Sequence, residues 1–62
     1  MYCDYYEQVF NNDEIEEAFS FYERWSKSNN QPMEVPTAED VDETNIGHVM
    51  YHAEIEGYKV NN

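Results

Sequence analysis

Basic residues are scarce in this chain: Lys and Arg together number three against fourteen Asp and Glu, so 62 residues carry a formal charge of -11. That deficit excludes a nucleic-acid-binding face, which needs clustered cations, and it excludes attraction to an anionic membrane. Glycine is rarer still, and its two copies, Gly47 and Gly57, stand too far apart for a Gly-rich phosphate loop. A single cysteine, Cys3, rules out an internal disulfide framework. No apolar run reaches the length of a membrane span or a signal-peptide core, so the expected location is the cytoplasm.

Aromatic residues are plentiful. Three Phe, six Tyr and one Trp within a hydrophobic content of 40% are too many for a disordered acidic tail. One small domain over residues 1–62 is expected. A chain of this size buries only about 60% of the surface its unfolded form exposes, so its stability is marginal and a homodimer or a bound partner could supplement it.

The clearest periodic signal runs from 13 to 28, where Ile15, Ala18, Phe19, Tyr22 and Trp25 recur at helical spacing. Asn11, Asn12 and Asp13 mark its start, Glu14 and Glu16 are placed to complete a capping box, and Lys27 suits the last turn. Phe21 falls at the edge of the apolar stripe and is a candidate for incomplete burial. Upstream, Tyr2, Tyr5, Tyr6 and Val9 also fit the helical template and predict a short helix over 2–10, although so many aromatics suit a strand as well. The polar run from Ser26 to Pro36 reads as a loop. Thr37 with Asp40 three residues later offers another cap, ahead of a short acidic turn ending near Glu43. Residues 45–56 read as a helix that buries Ile46, Val49, Met50 and Ala53 and stops at Gly57, with Tyr51 and Ile55 pointing elsewhere. A strand over 48–56 alternates equally well, but no partner strand is evident for it. The expected fold class is all-α, a small bundle of two to three short helices with an irregular central loop. The alternative is α+β with a C-terminal strand at 48–56.

Little in the chain suggests catalysis. His48 and His52 are four apart and would share a helix face, yet two histidines without the glutamate of a zincin helix are a weak metal signal. A calcium loop counted from Asp40 would need glycine at Asn45 and an acid at Tyr51, and has neither. Acids surround Cys3 in the sequence and would blunt a thiolate. No activated nucleophile, metal or cofactor is therefore expected, and the chain reads as a non-enzyme.

The charge itself carries the functional expectation. It exceeds the magnitude of roughly 2 to 8 that keeps a small domain soluble, and its self-repulsion costs stability, which suggests that the charge is there to bind. The natural partner is a basic protein surface, of which the groove of a DNA- or RNA-binding protein is the commonest kind. Asp13, Glu16, Glu17 and Glu23 would form one charged row opposite the apolar stripe, and Glu39, Asp40, Asp42 and Glu43 a second. In size, charge and aromatic content the chain is similar to small DNA-mimicking inhibitors that phages and mobile elements make against restriction, repair or CRISPR proteins, a likeness of character that no residue motif carries. The competing expectation is a small regulatory or assembly module that binds through an apolar surface around Phe21, Tyr51 and Ile55, with acidity serving solubility.

Overall fold

In the computed structural model, which describes residues 1–60, α1 spans Asn12–Ser28 and α2 spans Ile46–Glu56. The start of α1 follows its local sequence closely. The Asn11 side chain accepts a hydrogen bond from the Glu14 N–H at 2.8 Å, and the Glu14 carboxylate accepts one from the Asn11 N–H at 2.9 Å, a reciprocal capping box that satisfies two otherwise orphaned donors. The start of α2 is secured one turn earlier than its first regular residue. Asp42 Oδ1 accepts from the N–H groups of Thr44 and Asn45, while the Asn45 side chain accepts from the Asp42 N–H at 2.8 Å. Asp42 and Asn45 thus repeat the same reciprocal arrangement.

Both helices end alike. At α1 the N–H of Asn30 reaches the carbonyl of Lys27 and the N–H of Gln31 that of Ser26. At α2 the N–H of Gly57 reaches Glu54 and the N–H of Tyr58 reaches Ala53, both at 3.0 Å. This paired closure requires a left-handed residue just past the helix, supplied by Asn30 at φ 53° and Gly57 at φ 125°. A strand over 48–56 is therefore overturned: these residues lie in α2, whose backbone groups are satisfied within the segment.

The N-terminal segment departs from the helical expectation. Residues 2–10 form an antiparallel hairpin of β1 (Tyr2–Cys3) and β2 (Gln8–Val9), with Tyr2 opposite Val9 and Cys3 opposite Gln8. The backbone bond from Phe10 N–H to Met1 carbonyl, 2.7 Å, extends the pairing by one step. The physical reason is burial. Cys3 and Phe10 are 0% and 1% exposed, whereas Tyr2 and Val9, half of the supposed helical stripe, are 45% and 67% exposed. A helix over 2–10 would have covered the wrong residues. The architecture is thus a small mixed fold of two helices and a two-stranded sheet, with a 3₁₀ helix at Ala38–Asp40 in the connection.

The helices pack on each other through Ile15, Ala18, Phe19 and Tyr22 of α1 and Ile46, Val49, Met50 and Ala53 of α2. Trp25, expected on the buried stripe, is only partly covered, and Ser26 is buried instead. At 100° per residue Trp25 lies about 80° round the helix from Ile15, while position 26 returns to the centre of the stripe. Ser26 is tolerated there because its hydroxyl donates to the Gln31 carbonyl.

Tyr22, fully buried, ties three segments together. Its hydroxyl accepts the N–H of Glu34 at 3.0 Å and lies 3.4 Å from the N–H of Val35, and it pairs with His48 Nε2 at 3.2 Å. Removing the oxygen would leave the buried Val35 N–H and the part-buried Glu34 N–H and His48 Nε2 without this partner. Tyr22→Phe should accordingly destabilise the fold by about 1–3 kcal/mol despite its near-identical shape. Denaturant melts of the two proteins check this, and equal stability would show that the hydroxyl is dispensable.

Candidate partner-binding surface

The two acidic rows start from different local structures. Asp13, Glu16, Glu17 and Glu23 project from α1, spaced so that neighbours share one broad face. Glu39, Asp40, Asp42 and Glu43 lie on or just after the 3₁₀ helix, and all eight side chains are exposed. The 3₁₀ helix packs on the first turns of α1, so Glu16 and Glu39 line one shallow depression together with Asn12, Ile15 and Ala38. The rows therefore join at this point.

Some of these acids also serve the fold. Asp42 accepts from Thr44 and Asn45, and those bonds, that of the Thr44 hydroxyl foremost, hold its carboxyl below the usual carboxylate range. Asp40 accepts from the Thr37 hydroxyl at 2.7 Å, which is how the expected Thr37 cap is realised: side chain to side chain, without a bond to the helix backbone. Glu23 lies 3.9 Å from Lys27 one turn on, an exposed pair of small energetic value. Glu16, Glu17, Glu39 and Glu43 make no ion pair among the described residues.

The three apolar candidates separate. Phe21 is half-buried as expected, its ring against Tyr58 at a centroid distance of 5.7 Å and beneath the Arg24 guanidinium at 4.2 Å. Tyr51 and Ile55 are 45% and 56% exposed on α2, and Tyr51 meets the hairpin rather than Phe21. Its ring lies edge-on to Tyr5, 6.0 Å between centroids, and Tyr5 in turn contacts Tyr6 at 4.9 Å. Past Tyr51 the series continues through His52 to Trp25, the last pair only 4.0 Å apart. A ridge of rings thus crosses hairpin, α2 and α1. Of these rings the sequence marks only Tyr51 as a candidate for an apolar binding surface, since the contact with Tyr5 depends on the hairpin.

His48 and His52 do share a face, with ring centroids 4.4 Å apart. Their nitrogens have other partners: His52 Nδ1 bonds the His48 carbonyl at 2.8 Å, and His48 Nε2 lies 3.0 Å from Glu34 Oε2. Among the described residues no group of three or more His, Cys, Asp or Glu side chains is placed to hold a metal ion. Nor is any helix of these residues long and apolar enough to cross a membrane.

The chain matches no protein-family profile, no curated protein and no solved structure.

Two opposing influences act on His48. Burial, aided by the neighbouring His52, lowers its pKa, while the Glu34 carboxylate raises it, and burial prevails. As the pH falls below about 6.5 the unfolded chain takes up this proton before the folded one does. The contribution of His48 to stability is then complete above about 6.5 and is lost as the pH falls through the folded value. Histidine NMR titration should place the His48 midpoint below that of a free imidazole, and His48→Gln should flatten the pH dependence of stability between about 7.5 and 5.5. A midpoint above the free value would mean that Glu34 dominates.

Proposed function

We propose that this protein is an acidic binding protein that inhibits a nucleic-acid-binding protein by placing carboxylates where phosphates would lie. The observation that carries the reading is charge per length. A net charge of -11 along a long axis of 29 Å amounts to one per about 2.6 Å, within a factor of two of the one charge per about 1.7 Å of duplex axis. The exposure of Asp13, Glu16, Glu17, Glu39 and Glu43 supports it, since charges held in water steer a basic partner from a distance. A DNA- or RNA-binding protein is the fitting target, as an anti-defence inhibitor from a phage or mobile element would require.

A second reading, a small regulatory or assembly module binding through an aromatic and apolar surface, draws on the exposure of Tyr51 and Ile55. Phe21 contributes less to it, because Arg24 covers the ring.

The two readings differ in their response to salt. A partner captured from lysate on the immobilised protein should be released at least about tenfold more readily at about 200 mM than at 50 mM salt. Added duplex DNA should compete for it. The combined variant Glu16→Lys, Glu17→Lys and Glu39→Lys should fold, because these side chains are exposed and outside both capping boxes, and should lose the partner. Capture indifferent to salt, to DNA and to charge reversal would contradict phosphate mimicry and favour the apolar surface.

A further inference from the structure

The only arginine of the chain shows how this surface accommodates a guanidinium. Arg24 is exposed, yet it lies over the Phe21 ring with its central carbon 4.2 Å from the centroid, the arrangement in which a cation meets the negative face of an aromatic ring. Elsewhere among the described residues, rings stand open with no cation above them. Tyr5 is 65% exposed and Tyr51 45%, and their planes meet at 82° to form a corner. The corner is held in place from below. Tyr5 sits on α2 at Gly47, where an added Cβ would come to 3.4 Å from Tyr5 Cβ, so hairpin and helix are in close van der Waals contact there. Glu54 is fixed beside it, one turn along α2 from Tyr51, by a 3.0 Å bond from the Tyr6 hydroxyl to one carboxylate oxygen. Asp4 precedes Tyr5 in the hairpin loop, and Ile55, 56% exposed, follows Tyr51 by one turn.

We propose that Tyr5, Tyr51 and Glu54 form a seat for an arginine side chain of the basic partner, an inference that rests on the partner's being a basic surface. Charge complementarity selects this occupant. A second copy of the chain would bring another charge of -11 onto an acid-rimmed ridge, and like charges brought together oppose association. A guanidinium satisfies every element of the corner at once. Its flat face stacks on a tyrosine, its N–H groups reach the carboxylate, and its aliphatic stem covers Ile55. Lysine offers a compact, strongly hydrated charge and stacks less well. The seat therefore reads arginine in particular, whereas the acidic rows respond to positive charge of either kind.

Hexa-arginine and hexa-lysine peptides separate the two contributions. Calorimetry at low salt should show hexa-arginine binding about fivefold more tightly, with ring resonances of Tyr5 and Tyr51 shifting on its addition. The double variant Tyr5→Ala, Tyr51→Ala should retain the wild-type affinity for hexa-lysine and bring the ratio close to one. The single variant Tyr51→Ser, which leaves the hairpin residue in place, should reduce the ratio part of the way. Equal binding of both peptides with unmoved tyrosine resonances would overturn the seat and leave the basic-partner reading standing, as would a preference that survives the double variant. Binding of neither peptide would overturn the basic-partner reading, and the seat with it.

Discussion

The phenol oxygen of Tyr22 is the point at which the connection between the helices becomes part of the structure. Residues 29–37 are polar, proline-containing and mostly exposed, so they contribute little burial of their own. The hydroxyl receives the Glu34 N–H and faces His48 on α2, and in doing so fixes where the chain crosses from one helix to the other. That crossing brings Val35 into the core and sets the 3₁₀ helix against α1. The same connection carries Glu39 to its place beside Glu16 in the depression at the start of α1.

A chain with a charge of -11 must also keep its carboxylates from opposing the fold. It does this in part by giving several of them donors. Glu14 and Asp42 accept helix-end N–H groups, where the positive end of the helix dipole favours a negative charge. Glu54 accepts from Tyr6, and burial, with the bond to the Glu54 carboxylate, raises the phenol's pKa, so the Tyr6 hydroxyl stays protonated as the donor. Tyr58 is raised likewise, by burial and by the nearby Glu14 and Glu17. The carboxylates of Glu16, Glu17, Glu39 and Glu43 have no such donor among the described residues, which is the basis for proposing them as partner contacts.

Legibility from sequence followed the range of the interactions. The start of α1 and the end of α2 are legible because Asn11 with Glu14, and Gly57 with Tyr58, act within a few residues of each other. The hairpin was not. Its turn contains no glycine and no Asn-Gly or Asp-Gly pair; the left-handed position is taken by Glu7 at φ 55°, a residue that rarely signals one. The tyrosines at 2, 5 and 6 then imitated a helical period. Asp42 is legible as an acid but not as a cap, because the helical pattern places its partner Asn45 at the first position of the helix. The eight acids of the two rows are exposed, as side chains of this polarity are expected to be, but their junction at Glu16 and Glu39 and the contact of Tyr5 with Tyr51 join segments distant in sequence. Local patterns carry no information about such pairs.

The most direct test of the central claim is a structure of the protein bound to its captured partner. The account predicts that the carboxylates of Glu16, Glu17 and Glu39 lie within ion-pair distance of lysine or arginine side chains that otherwise hold nucleic-acid phosphates. A complex in which those carboxylates face solvent, and the partner's nucleic-acid groove stays open, would contradict it.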